Sequence, residues 1–230
     1  MSTKKKFFLV FLFIILDIFL LVGFLVIRDA TMLNDLRNEV DRLSQLDFTH
    51  DRYNTKIKTN GKYKTVEKAI KEYLDEYAVL VQEVLEIVHD STLTSILSYN
   101  NYQKDGPDFL NSLTFLKEKK NIFNEDMTKL LTNSEEETIK KYIYSKTNEK
   151  YYCDLYEELI LSDTFKADFQ EMKELLTNTN NRMNIIFDTS KEVLEFLIAH
   201  KEEWVLEEGE IRFQTDALYQ QYLKYIEKVS

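Results

Sequence analysis

The chain has 230 residues with 30 basic and 40 acidic side chains, a net charge of −10 and a mean hydropathy of −0.37. That acidity excludes nucleic acid as an expected ligand, because its recognition begins with a basic face that neutralises phosphates. With 4 Gly and 1 Pro against 15 Phe and 14 Tyr, turn material is scarce and bulky side chains are plentiful, which points to an all-α domain and away from a β-rich one.

Residues 1–6 form a basic tail carrying Lys4, Lys5 and Lys6, and Phe7 to Ile27 is an apolar run broken only by Asp17 and Gly23. As a helix, such a run is roughly 31 Å long, close to the thickness of a bilayer's hydrocarbon core. It reads as a single transmembrane helix. Lys4, Lys5 and Lys6 precede the run, whereas Arg28 is followed at once by Asp29, so the basic bias sets the N-terminus in the cytoplasm and the rest outside. A cleaved signal peptide would have a shorter apolar core ending at small residues, and Val26-Ile27-Arg28-Asp29-Ala30 offers no such site. The expectation is an uncleaved signal anchor in a cell membrane. Asp17 falls near the middle of the span, where an acidic group costs about 2.5–3.5 kcal/mol and ordinarily faces a partner or a polar cavity. It is the candidate contact to another membrane protein.

Beyond the span the chain holds 26 basic and 39 acidic residues, once Lys4, Lys5, Lys6, Arg28 and Asp17 are set aside. Cationic partners suit that balance. Cys153 is the single cysteine, so no intramolecular disulfide forms, and an exported domain of this size must rely on its core. Frequent Lys, Asn, Ile and Tyr resemble the usage of a low-GC Gram-positive bacterium.

Residues 28–64 read as a membrane-proximal helix and linker. Leu33, Leu36, Val40, Leu43 and Leu46 keep helical spacing to about residue 46. That narrow seam packs on its own domain or, alternatively, pairs two copies as a homodimer. Residues 47–64 alternate polar and apolar around Asn60-Gly61, which predicts an extended loop or a short hairpin. Lys56, Lys58, Lys62 and Lys64 make this segment the densest basic cluster outside the tail, a solvated linker or a candidate contact to a polyanion such as anionic lipid.

Residues 65–230 read as the extracytoplasmic helical domain. Thr65 caps a strongly amphipathic helix to about Asp90, followed by a shorter piece over Leu93 to Tyr99. Asp105-Gly106-Pro107-Asp108 predicts a stop and a new start, with Pro107 in the first turn of a helix reaching about Thr132. Ser134 and Glu137 spell a capping box, and Thr147 or Asn148 opens a further helix through Ile160. Ser162 or Asp163 then starts one of roughly 40 residues, spaced like the preceding helices, with the polar patch Asn178 to Asn181 as the place for a kink. Trp204-Val205-Leu206 and Ile211-Arg212-Phe213 around Gly209 predict a small β-hairpin, and Thr215 or Asp216 caps a final helix.

No phosphate loop, serine elbow or paired-cysteine spacing occurs. His50, His89 and His200 lie far apart without a second ligand at helical spacing, and Cys153 has no neighbour that argues for a lowered pKa. The acidic groups at Glu135 to Glu137, Glu202-Glu203 and Glu207 to Glu210 read as solvated helix and turn surface. The sequence therefore predicts no catalytic, cofactor-binding or metal-ligating residues and no enzyme. It predicts a single-pass, membrane-anchored interaction protein of the cell envelope that binds a protein partner in an accessory, secretion-associated or immunity-type role. The alternative is a module that encloses a small molecule, peptide or cell-wall fragment.

Overall fold

The computed structural model describes the backbone of residues 3–47, 50–53 and 55–228, and their side chains apart from those of 3–19, 163–165 and 168. Nine helices and one two-stranded antiparallel sheet make up the described residues. The helices are α1 (Thr3–Leu43), α2 (Tyr63–Val88), α3 (Ser91–Ser95), α4 (Tyr99–Asp105), α5 (Leu110–Asn133), α6 (Glu136–Tyr144), α7 (Lys150–Ile160), α8 (Asp163–Ala199) and α9 (Asp216–Ile226), with strands β1 (Trp204–Glu207) and β2 (Glu210–Phe213) between the last two. The chain divides into two compact units, one of Met1–Asp75 with Lys140–Ser162 and one of Glu76–Ile139 with Asp163–Ser230.

In the first unit, Leu36, Val40 and Leu43 fall on one face of α1 at i, i+4 and i+7 and are all buried. Val66, Ala69, Ile70, Tyr73 and Leu74 of α2 and Cys153, Leu155, Tyr156 and Ile160 of α7 are buried as well. Aromatic edges do much of the packing: Tyr63 meets Tyr152 edge-on at 5.4 Å between centroids, and Tyr73 meets Tyr142 at 5.3 Å. Residues 51–53 and 55–60 belong to this unit and form neither helix nor strand. The expected alternative of a hairpin there does not form among the described residues; Gly61, with φ +59°, instead turns the chain into α2.

In the second unit, α5 packs along α8, with Phe123 and Phe187 5.9 Å apart at the seam. Helix α8 runs unbroken for 37 residues through the asparagine patch. Asn184 donates to the Asn180 carbonyl at 3.0 Å and to Asn124 Oδ1 of α5 at 3.0 Å, so the patch carries an inter-helix tie where a kink was one expectation. The hairpin forms as expected, with Trp204 opposite Phe213 and Glu207 opposite Glu210. Its two-residue turn has φ of +54° at Glu208 and +89° at Gly209, the double left-handed turn that suits the twist of paired strands. Trp204 fastens the hairpin: its indole N–H donates to the Leu197 carbonyl at 2.7 Å, and its ring stacks on Phe109 at 6.0 Å.

Four sequence expectations are corrected. Helix α2 starts at Tyr63, so Thr65 lies within its first turn and does not cap it. The piece expected over Leu93 to Tyr99 is two short helices, because Ser98 accepts the Asn101 N–H and starts α4. Pro107 lies outside the next helix, which starts at Leu110. Buried Phe109, held between Tyr102 and Trp204, takes a left-handed conformation at φ +43°, and Asp105 reaches past it to accept the N–H groups of Asn111 and Ser112. Ser134 builds no capping box, since its hydroxyl donates back to the Leu130 carbonyl at 2.9 Å and closes α5. Downstream, Thr147 accepts the Glu149 N–H at 3.2 Å just ahead of α7.

Among the described residues no helix is long and apolar enough to cross a membrane. The expected span falls largely outside them, for the side chains of 7–19, Asp17 among them, and of Lys4, Lys5 and Lys6 are not described.

Truncating Phe123, which is fully buried, should cost about 3–5 kcal/mol. Leu110→Ala, at a side chain 72% exposed, should stay within about 0.5 kcal/mol. Urea denaturation followed by circular dichroism measures both.

Candidate functional site

Helix α1 changes character along its length. Leu20, Leu21, Val22, Phe24, Leu25, Val26 and Ile27 are each 50–69% exposed, whereas Leu36, Val40 and Leu43 are at most 5% exposed. The same helix therefore presents bare apolar surface in one stretch and is packed into its own unit in the next. The seam of Leu36, Val40 and Leu43 is covered by its own unit.

What fixes the packed stretch is a cluster of charges taken out of water. Lys71 of α2 is 1% exposed, and its ammonium donates to Glu39 Oε1 at 2.7 Å, to Glu67 Oε1 at 2.6 Å and to the Lys56 carbonyl at 3.1 Å. All three of its donors are used. Glu39, on α1, is held on its other side by Arg42 through two bonds of 2.9 and 2.8 Å, and Arg42 also donates to Thr55 at 3.2 Å. Glu67 accepts the N–H groups of Lys58 and Thr59 and the Thr59 hydroxyl, each at 2.8 Å. Two carboxylates thus balance an ammonium and a guanidinium, and one cluster ties together α1, α2 and the extended chain at 55–59.

The carboxyls titrate accordingly. The Arg42 guanidinium, outweighing burial and helped by Lys71, holds Glu39 at about 2, well below its ordinary 4.5. Burial pushes Glu67 up, but bonds from Lys71, Thr59 and Lys58 together bring it below the usual range.

Of the predicted basic residues, Lys56 and Lys58 join this cluster through their backbones, while their ammonium groups and that of Lys64 are exposed. Lys62 pairs with Glu149. Beside Lys62 lies an open groove of about 670 Å³, walled by Leu25, Val26, Met32 and Leu33 of α1 on one side and by Asn60, Gly61, Lys62, Tyr63 and Tyr152 on the other, with Arg28 and Asp29 at its edge. The Tyr63 hydroxyl lies 3.3 Å from that of Tyr151; burial first, then Tyr151 and Asp29, push its pKa up.

The other reactive types are dispersed. Cys153 is buried, its thiol pushed up by that burial and by the Glu157 and Asp154 charges, and its Sγ lies 3.5 Å from the Thr147 carbonyl. His200 bonds Glu203 at 2.8 Å, His50 lies 3.3 Å from Asp47, and His89 is exposed. Glu207 and Glu208 are spent on Arg212. Among the described residues no three His, Cys, Asp or Glu side chains gather as a metal set would require.

Sequence reasoning missed Glu39, Glu67 and Lys71. The available signal is that Glu67 and Lys71 stand four apart on the line that continues through Leu74 and Ala78, both of them buried. A charge pair inside an apolar arc of a helix is a sign of burial.

No family model, curated protein or solved structure matches this chain.

Lys71→Met should destabilise the first unit by about 3–5 kcal/mol, because it strands two buried carboxylates. Glu39 and Glu67 titrate lower in the folded state than unfolded, so their stabilisation is complete above about 4.5 and is lost as pH falls toward about 2. In Lys71→Met the folded carboxyls rise toward their unfolded values, and that acid-linked loss should shrink. Urea midpoints between pH 7 and pH 3 read both effects.

Proposed function

We infer that the chain is a single-pass, membrane-anchored interaction protein of the cell envelope, with residues 7–27 in the bilayer, Lys4, Lys5 and Lys6 on the cytoplasmic side and the helical units outside. It acts by binding a protein partner, as an accessory, secretion-associated or immunity-type factor, and performs no catalysis. The observation that carries this reading is the row of exposed apolar side chains from Leu20 to Ile27 on a helix anchored downstream by Leu36, Val40 and Leu43. In water that row would be a large uncovered apolar surface, which soluble chains rarely leave bare. In a bilayer it is solvated, and its backbone is already satisfied by the helix.

Polarity and composition supply the rest. The lysines before the run orient it. An acidic exterior with a net charge of −10 over the chain favours a partner with a basic face, which steers association at low ionic strength. Asp17 is assigned to a neighbouring membrane helix, since an isolated carboxyl in hydrocarbon is costly and a hydrogen-bonding partner offsets that cost.

The chain should remain in the membrane pellet after an alkaline wash, and protease added to intact cells should remove everything beyond the span. Protection of the C-terminal end, or recovery of the chain in the medium, would reverse the topology or remove the anchor. Crosslinking in cells followed by mass spectrometry should recover one specific protein. Asp17→Leu should leave insertion intact while abolishing that protein's co-purification in mild detergent; an unchanged yield assigns the contact elsewhere.

A further inference from the structure

We propose that the groove beside the foot of α1 is a binding site for an anionic membrane phospholipid, a proposal that rests on the anchored reading above. Its apolar wall, Leu25 and Val26, is continuous with the exposed row that runs back to Leu20. Its polar rim is formed by Arg28 and Lys62, and Tyr63 and Tyr152 line the side opposite α1. Cations, aromatic rings and apolar side chains line one groove, the groups that a lipid's phosphate, glycerol and acyl chain would each need. With residues 7–27 in the bilayer, Arg28 stands at the level of the headgroups, and tyrosines are enriched at that depth.

Charge complementarity selects an anionic lipid. Arg28 makes no ion pair among the described residues, and Asp29 is the one acidic side chain lining the groove. Lys62 holds Glu149, an exposed pair that a phosphate can displace at little cost. Lys58 and Lys64 flank the same turn with exposed ammonium groups and add to the local field. The volume of about 670 Å³ lies within the range of small-molecule sites, roughly 300–1,000 Å³.

The test uses the full chain extracted in mild detergent, with native mass spectrometry of adducts formed with phosphatidylglycerol or phosphatidylcholine, alongside flotation of the reconstituted chain with vesicles. The wild-type chain should retain phosphatidylglycerol in preference to phosphatidylcholine. The double variant R28Q/K62Q should lose roughly thirtyfold of that retention with flotation unchanged. Glu149→Gln, which releases Lys62, should raise it, a gain that a merely structural role for the pair would not produce. A chain that floats but retains the two lipids equally, or a double variant that binds as the wild type does, overturns the lipid site and leaves the anchor standing. A wild-type chain that does not float overturns both.

Discussion

The first unit is organised by the need to keep one buried ammonium satisfied. Removing Lys71 from water costs several kcal/mol, offset only if good acceptors meet all of its donors. Here they come from three separate places in the sequence: Glu39 on α1, Glu67 one turn back on α2, and the Lys56 carbonyl in the extended chain. A one-residue slip of α1 would swing Glu39 by about 100°, away from Lys71, and leave one of the three ammonium donors without its acceptor. The cluster contributes little net stability compared with an apolar replacement, but it discriminates sharply against wrong registers. The apolar seam of Leu36, Val40 and Leu43, which many rotations of a helix could partly bury, gains a single setting from it.

That setting matters because α1 works in two environments. From Leu20 to Ile27 its side chains are bare, and from Leu36 onward they are buried. A helix satisfies its backbone hydrogen bonds equally in water, protein and hydrocarbon, so it can pass from one to another without a break. In the anchored reading, a rigid junction at Glu39 and Lys71 makes the direction of the span and that of the first unit a single property. The chain at 55–59 is held by Arg42, Lys71 and Glu67 of the same cluster, so the backbone of the lysines it carries is fixed next to that junction.

The legible parts of the fold were those governed by local rules. Helix α2 announced itself through Val66, Ile70, Tyr73, Tyr77 and Val81, because helical spacing of apolar residues needs no knowledge of what they pack against. The hairpin was legible because two apolar triplets flank Gly209, a residue free to take the left-handed conformation that a tight turn requires. The misread parts were those where a distant contact overruled a local signal. Pro107 is a good first-turn residue, yet the burial of Phe109 between Tyr102 and Trp204 delays the helix to Leu110. Ser134 is a good cap, yet its hydroxyl serves the helix it follows. The charge cluster was hidden for a different reason: Glu67 and Lys71 look like an ordinary exposed i, i+4 pair, and what buries them is chain about ten residues upstream and a helix some thirty residues away. The basic segment was visible as composition, but not the groove beside it, because Leu25 and Tyr152 are brought together only by the folded unit.

The charge distribution carries one more step. An acidic protein near an anionic membrane is repelled only through charges within reach, and in physiological salt that reach is about 8 Å. Net charge over the whole chain is therefore the wrong quantity for the membrane face; what counts is the sign of the residues in the first layer. Around the foot of α1 those are Arg28, Lys58, Lys62 and Lys64, against Asp29 and Glu149, the latter paired with Lys62. The acidic excess elsewhere is screened from the bilayer while remaining available to a basic partner. In the anchored reading, a chain of net charge −10 can thus lie against an anionic surface through those residues.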